Sequence, residues 1–452
     1  MSDLDKIFKA YDVRGVVPAE FDESVAEAVG AAFARLTGTR SLVILHDMRA
    51  SSEPLAEAFG RGAASQGADV IQGGLGSTDM AYYASGFLDI PGAMITASHN
   101  PAKYNGIKLC KAGARPVGIE TGLAEIKAMV AAGVPEYDGE PGKIKSKDLL
   151  PGYAEYLKKL VDISGIRPLT VVVDAGNGMG GHTVPTVFAG LPLKTIPLYF
   201  ELDGTFPNHE ANPIDPENLR DLQKAVKENH ADIGLAFDGD ADRCFVVDER
   251  GEIVSPSVLT AMIATRELAR EHGATVIHNL ISSRAVPEII SEHGGTPVRT
   301  RVGHSFIKAK MAETNAVFGG EHSGHFYFRD FWFADSGMLA ALHTLAALGR
   351  DDRPLSEILA DFSRYASSGE INSEVADQAA TAQRVKDVYA GRPGVTTDEL
   401  DGLTVSGDTW WFNLRPSNTE PLLRLNVEAA DEAAMAAIMD EVLGLVRGTS
   451  SR

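Results

Sequence analysis

Four short polar segments carry residue types with chemical uses: a hydroxyl that could act as a nucleophile, carboxylates that could hold a cation, and donors and acceptors that could hold hydroxyls or an anion. The first is Thr96-Ala97-Ser98-His99-Asn100-Pro101. It follows the apolar run Ala93-Met94-Ile95, and Pro101 bars a helix from continuing through it. A serine hydroxyl at a strand end is either a turn element that satisfies local backbone or a nucleophile. His99 stands next to it, but adjacent residues rarely face each other, so a simple Ser98–His99 pair is not expected. No G-x-S-x-G elbow is present. Downstream, Asn105-Gly106-Ile107-Lys108 offers a turn and then a cation.

The second segment is Asp238-Gly239-Asp240-Ala241-Asp242-Arg243. Three carboxylates alternate with small residues, a spacing that lets all three project to one side of an extended loop. Like charges that close repel strongly unless a cation sits among them. Hard oxygen ligands favour Mg²⁺ or Ca²⁺. A solvated acidic turn is the alternative. The calcium-loop pattern fails at its sixth position, where Arg243 stands in place of Gly, and the flanks read as strands rather than helices. An aspartyl-nucleophile phosphatase also places D-x-D after a strand. Asp238 and Asp240 fit that pattern; Asp242 and Arg243 do not favour it.

The third segment, Gly319-Gly320-Glu321-His322-Ser323-Gly324-His325, joins backbone freedom to a carboxylate, a hydroxyl and two imidazoles. Glu321 and Ser323 suit neighbouring sugar hydroxyls. A metal reading of His322 and His325 lacks a further ligand pattern. Upstream, Gly303-His304-Ser305 and Lys308 add another imidazole and another cation. The fourth segment, Arg415-Pro416-Ser417-Asn418-Thr419-Glu420-Pro421, gives a guanidinium fork with neutral donors. That set suits a phosphate or, equally, a capped surface turn.

Strands and helices must present these segments. Val25, Val29, Phe33 and Leu36 recur at helical spacing, with Gly38 as a stop. Leu42-Val43-Ile44-Leu45 bounded by Asp47 reads as a buried strand, as do Val171-Val172-Val173 and Ile233 to Phe237. Met435, Ile438, Val442 and Leu445 form the stripe of a last helix. Strands alternating with helices predict α/β layers, with polar loops at strand ends as the place for a site. Polar stretches near 139–147, 248–256 and 367–373 divide the chain into 1–146, 147–250, 251–366 and 367–452.

The 452 residues carry 42 Lys+Arg against 62 Asp+Glu, a net charge of −20. That balance disfavours a general nucleic-acid binder but allows a local cationic pocket. An apolar fraction of 44% is that of an ordinary globular chain. The two cysteines, Cys110 and Cys244, build no disulfide framework or Cys-based zinc site. The start, MSDLDKIFKA, has no apolar core of a signal peptide, and no apolar run is long enough to span a bilayer. A reduced, cytoplasmic setting is expected, with no membrane partner.

Taken in order, TASHNP, DGDADR, GEHSGH and RPSNTEP resemble the α-D-phosphohexomutase superfamily along essentially the whole chain, and GEHSGH resembles its phosphomannomutase/phosphoglucomutase branch. Tyr11-Asp12-Val13-Arg14-Gly15 is similar to the family's N-terminal substrate loop. The resemblance implies three similar mixed-sheet α/β domains and a smaller C-terminal α+β domain, heart-shaped around a cleft. It implies a phosphoprotein isomerase of carbohydrate metabolism that moves a phosphoryl group between O6 and O1 of a hexose. Hexose 1,6-bisphosphate would be its intermediate and activator. Ser98 would carry the phosphoryl group, and Asp238, Asp240 and Asp242 would hold Mg²⁺ with a phosphoryl oxygen on Ser98. Arg14, His99, Lys108, Arg243, His304 and His325 would supply proton transfer and charge. Tyr11, Arg14, Glu321, Ser323 and His325 would contact substrate. Arg415, Ser417, Asn418 and Thr419 would bind the phosphate that is not reacting. One departure stands out. In that branch a basic residue commonly occupies the place of Ile281, so one positive contact is expected to be missing. Hexose phosphates are the expected partners of a monomer or homodimer, and a hinge before the last domain is expected.

Overall fold

The computed structural model describes residues 3–416 and 422–448. Its strands form four sheets. The first has Ser41–His46 at its centre, parallel to Asp69–Leu75 and Gly92–Ile95, with Tyr104–Lys111 returning antiparallel beside Gly92–Ile95. The helix predicted around Val25 runs over Glu23–Thr37. Asp22 accepts from the Val25 amide at 3.0 Å to cap its start, and Gly38 ends it at φ +58°, a conformation glycine adopts without a Cβ penalty.

The second sheet places Ile233–Phe237 beside Leu169–Asp174 in parallel and Cys244–Asp248 in antiparallel register. The third repeats the theme. Phe318–Gly320 runs parallel to Thr275–Asn279, and Phe326–Phe328 returns antiparallel to it. Each of the three α/β units therefore puts one polar segment between a parallel strand and the antiparallel strand that comes back beside it. This shared step places the Ser98, Asp238 and Glu321 loops at equivalent strand ends. The fourth sheet is antiparallel throughout, ordered Ala366–Glu374, Leu422–Ala429, Trp410–Pro416, Leu403–Ser406, Thr396–Asp398, and carries the helices Gln378–Tyr389 and Glu432–Arg447.

The first three units share one continuous core. Val43 and Met94 of the first, Val173 and Leu235 of the second, and Phe318 and Leu342 of the third belong to it, joined through the helices Thr78–Leu88, Leu150–Leu160 and Gly337–Gly349. The last unit has its own core around Tyr389, Phe412, Leu425 and Val442. Burial of apolar area is the main cohesive term in folding, so the first three units cohere and the fourth meets them through smaller contacts. Among the described residues no helix is long and apolar enough to cross a membrane.

Candidate functional site

Ser98 is buried, and its backbone takes the left-handed conformation at φ +52°. A residue with a Cβ adopts this only where its surroundings impose it. That turn swings the hydroxyl away from its own strand. Ser98 Oγ donates to Oδ2 of Asp238 at 2.9 Å, across the boundary between the first two units. It also lies 3.2 Å from Nδ1 of His99. The adjacent pair that sequence spacing disfavoured is thus within reach, because the left-handed turn curls both side chains to one side. Burial, then Arg243 and Arg14, lower the His99 pKa to about 2, so its ring is neutral.

The acidic loop is the hairpin between Ile233–Phe237 and Cys244–Asp248, as its strand-like flanks predicted. Asp238, Asp240 and Asp242 are buried, and one oxygen of each lies within 4.8 Å of the others. Lys108 Nζ reaches Oδ2 of Asp240 and Oδ2 of Asp242, at 2.7 Å each. Thr78 donates its hydroxyl to Asp240 Oδ2 at 2.5 Å, and Arg243 Nε donates to Asp238 Oδ2 at 3.0 Å. Burial pushes Asp238 well above the ordinary carboxylate range, with Asp242 and Asp240 adding to the push against Arg243. Burial acts on Asp240 too, but the Lys108 charge and hydrogen bonds from Lys108 and Thr78 hold it far below that range. Among the described residues, Oδ1 of Asp240, Oδ1 of Asp242 and Nη2 of Arg243 are buried without a hydrogen-bond partner. Buried orphan carboxylate oxygens on converging side chains fit a divalent cation.

The third loop meets the second directly. Arg243 and His325 form an antiparallel bridge. His325 Nε2 lies 3.6 Å from Asp242 Oδ1, and its Nδ1 lies 2.9 Å from Ser323 Oγ. Glu321 takes the Gly303 amide on Oε1 at 3.0 Å and the Tyr327 hydroxyl on Oε2 at 2.7 Å. Ser323 Oγ also lies 3.4 Å from Oε2, while Oε1 keeps a second lone pair for another donor. His304 packs edge-on against Tyr11, ring centroids 4.6 Å apart, and burial lowers its pKa to about 3. His322 is not in the acidic cluster; burial lowers its pKa, with Glu370 opposing. Lys308 is buried in an ion pair with Asp335 at 2.6 Å.

Arg14 donates to the Asn100 side chain and, through Nε, to Asp12 at 3.0 Å. Arg415 is held by Oε2 of Glu370 at 3.2 Å, while Oε1 of Glu370 takes Arg424 at 3.4 Å. Arg415 lines a cleft of about 770 Å³ with Tyr11, Arg301, Gly303 and Arg424, where the first, third and fourth units meet. Ser417, Asn418 and Thr419 lie outside the described residues. Ile281 is buried with Leu280 and Trp411, against Val302, so an apolar plug between the third and fourth units stands where a cation was expected.

The fold thus gathers Ser98, His99, Lys108, the three aspartates, Arg243 and His325 at one point. Tyr11, His304 and Arg415 lie along the adjoining clefts. Sequence reasoning passed over Thr78, Asp335 and Arg49. Thr78 begins the helix that follows Asp69–Leu75, and Arg49 follows Ser41–His46, so the rule that α/β sites gather at strand ends pointed to both.

Three mixed α/β units and an antiparallel fourth, with polar loops of three units touching and the fourth closing a shared cleft, define a multidomain α/β protein with a composite site. Sequence comparison shows which. Family models described as phosphoglucomutase/phosphomannomutase alpha/beta/alpha domains I, II and III match residues 5–134, 151–251 and 256–365, and the C-terminal domain of the same family matches 370–445. The chain belongs to the phosphoglucomutase/phosphomannomutase family. It is 41% identical over 445 residues to a protein of Xanthomonas campestris pv. campestris named "Phosphohexose mutases", covering 98% of this chain and 99% of that one. It is 38% identical over 449 residues to a phosphomannomutase of Salmonella montevideo, covering 97% and 98%. A crystal structure of a phosphoglucomutase/phosphomannomutase family protein from Burkholderia thailandensis superposes with a TM-score of 0.89 at 32% identity, covering 100% of this chain and 99% of that one.

Proposed function

We propose that this protein is a phosphohexomutase, chiefly a phosphomannomutase that also accepts glucose phosphates, acting in the cytoplasm. It interconverts hexose 6-phosphate and hexose 1-phosphate through a phosphoserine at Ser98 and a hexose 1,6-bisphosphate. The carrying observation is the buried Ser98 hydroxyl, 2.9 Å from Asp238 and beside the three-aspartate cluster with Lys108 and Arg243. The named activities of full-length relatives support the same reading. Four domains, 1–146, 147–250, 251–366 and 367–452, each contribute one loop.

Phosphoryl transfer is mainly positioning and charge neutralisation. Asp238, Asp240 and Asp242, with a phosphoryl oxygen on Ser98, would hold Mg²⁺, which neutralises charge on the transferring group. The phosphoryl group leaves Ser98 Oγ for a free sugar hydroxyl, whose proton passes to a nearby base while the freed Oγ takes up a proton. The bisphosphate then turns end for end, and its other phosphoryl group returns to Ser98 Oγ, which gives up its proton as the freed sugar oxygen gains one. Arg243 offsets charge beside Asp238. Lys108 holds its proton tightly between two carboxylates, so it serves as a cation. His325, set against Asp242 and Ser323, is the imidazole assigned to take the sugar hydroxyl's proton. Burial holds His99 and His304 neutral and makes them weak bases, so they serve as hydrogen-bonding and packing groups. Glu321 and Ser323 hold sugar hydroxyls, and Arg14 and Tyr11 bound the substrate's entry. Arg415, with Ser417, Asn418 and Thr419, anchors the phosphate at rest.

The test is Ser98→Ala. Its fold should persist while turnover falls to background, and its intact mass should lack the one phosphoryl group that the parent gains from hexose 1,6-bisphosphate. Parent-like turnover by the variant, or a phosphoryl group on Asp238 instead, would refute the reading.

A further inference from the structure

Arg49 takes no part in the chemistry above, yet its side chain is buried and all five of its N–H donors are used on one target region. Nη2 donates to the carbonyls of Ser98 at 2.8 Å and Asn100 at 2.7 Å. Nη1 donates to the carbonyls of Pro101 and Tyr104, at 3.0 Å each. Nε donates to Oδ2 of Asp47 at 3.1 Å. The guanidinium therefore gathers four carbonyls of the Ser98 loop onto one rigid plane.

Asp47 closes the circuit on the other side of Ser98. Its Oδ2 accepts from the Thr96 hydroxyl at 2.7 Å, and Thr96 Oγ1 in turn accepts from the Ser98 amide at 2.8 Å. The two polar backbone groups of Ser98 are thus both held, the carbonyl by Arg49 and the amide by Asp47 through Thr96. Asp47 is fixed in its own right by the Arg49 amide at 3.0 Å and by the Ser52 hydroxyl. The second unit seals the assembly. A Cβ on Gly204 would lie 2.6 Å from the Arg49 Cα, and one on Gly239 would lie 2.4 Å from the Ser98 carbonyl oxygen.

We propose that Asp47 and Arg49 are a positioning pair for the phosphoryl carrier, one that holds Ser98 in its left-handed conformation so that Oγ faces Asp238. This rests on Ser98 being the residue that carries the phosphoryl group. A left-handed residue with a side chain persists only where its environment over-determines it, and the two-sided grip supplies that environment. In-line transfer tolerates little misplacement: an error of about 1 Å can cost on the order of a hundredfold in rate. Both side chains are buried and every N–H of Arg49 is used on protein acceptors, which leaves the pair no free donor for sugar or phosphate, so its loss should fall on the transfer step rather than on substrate binding.

The experiment compares the parent, Ser98→Ala, Arg49→Lys and Asp47→Asn. Three quantities are measured on folded protein: kcat, KM and the rate at which dephosphorylated enzyme gains a phosphoryl group from glucose 1,6-bisphosphate, followed by quenched intact mass. Lysine keeps the charge but has no planar fork. Arg49→Lys should lower kcat and phosphoryl uptake together by roughly tenfold to a hundredfold, in line with a misplacement of that order, and leave KM near the parent's. Asp47→Asn should shift the same two quantities in the same direction. If Arg49→Lys does not fold, Asp47→Asn decides by the same criteria. Uptake at the parent's rate, or a defect in KM alone, overturns the positioning role. A parent that gains no phosphoryl group overturns instead the assignment of Ser98 as the carrier.

Discussion

The ammonium nitrogen of Lys108 lies 2.7 Å from Oδ2 of Asp240 and 2.7 Å from Oδ2 of Asp242, tying the strand Tyr104–Lys111 of the first unit to the acidic loop of the second. Burial disfavours its charge, but the two carboxylates outweigh that and keep its pKa well above the ordinary lysine range. Breaking a buried pair strands the partner charges, at a cost of about 3–5 kcal/mol. Lys108→Met should therefore melt well below the parent in a chelator. Added Mg²⁺ should raise its melting temperature more than the parent's, because the cation relieves a larger repulsion. Equal Mg²⁺ shifts in the two proteins would argue that Lys108 does not balance this cluster.

The orphan oxygens of Asp240 and Asp242 bear on metal dependence. A chelator should stop turnover, and Mg²⁺ should restore it. Asp240→Asn removes one charge and one good ligand, so its thermal shift should need at least roughly tenfold more Mg²⁺ than the parent's, the equivalent of about 1.4 kcal/mol of lost affinity. If the variant titrates like the parent, the cation binds elsewhere.

Asp79 joins three units. Its Oδ2 accepts the Tyr153 hydroxyl at 2.7 Å and the Ser336 hydroxyl at 2.6 Å, and Ser77 donates to its other oxygen. Burial raises its pKa to about 6 against these hydrogen bonds. An unfolded Asp ionises near about 3.9. Between pH 4 and 6 the unfolded chain releases this proton while the folded chain retains it. Stability from this group is thus greatest in acid and falls as pH rises to about 6, by up to about 3 kcal/mol, then levels off. Asp79→Asn should flatten that part of a urea-midpoint profile. A variant with the parent's slope from pH 4 to 6 would assign the titration to another group.

How much of this was legible in the sequence depended on distance along the chain. The Ser98, Asp238 and Glu321 loops announced themselves, because apolar runs end in clustered polar residues of one chemical purpose. Asp47 read only as the end of a strand, since its partner Thr96, through which it reaches Ser98, lies in another strand-end loop. Asp79 resembles any acid in the first turn of a helix; nothing local shows that Tyr153 and Ser336 converge on it from two other units. Ile281 was read as a missing cation. Its contact with Trp411, far along the chain, makes it part of the apolar seam to the last unit.

That seam and the cleft beside it frame the last prediction. Arg415 stands at the end of Trp410–Pro416, held by Glu370, which it shares with Arg424. The fourth unit has its own core, so it presents Arg415 to the cleft as a body. A substrate phosphate at rest must be held whichever end of the sugar is reacting, so this anchor should serve 1-phosphate and 6-phosphate substrates alike. Arg415→Lys keeps a charge but loses the two-pronged fork. A hydrogen bond to a charged group is worth about 1.5–3 kcal/mol, or roughly tenfold to over a hundredfold in binding. The variant should show that loss as a raised KM in both reaction directions, with phosphoryl uptake by Ser98 at saturating bisphosphate and the Mg²⁺ response as in the parent. Unchanged KM in both directions would remove Arg415 from the anchor, and a defect in one direction only would confine the loop to a single orientation of the sugar.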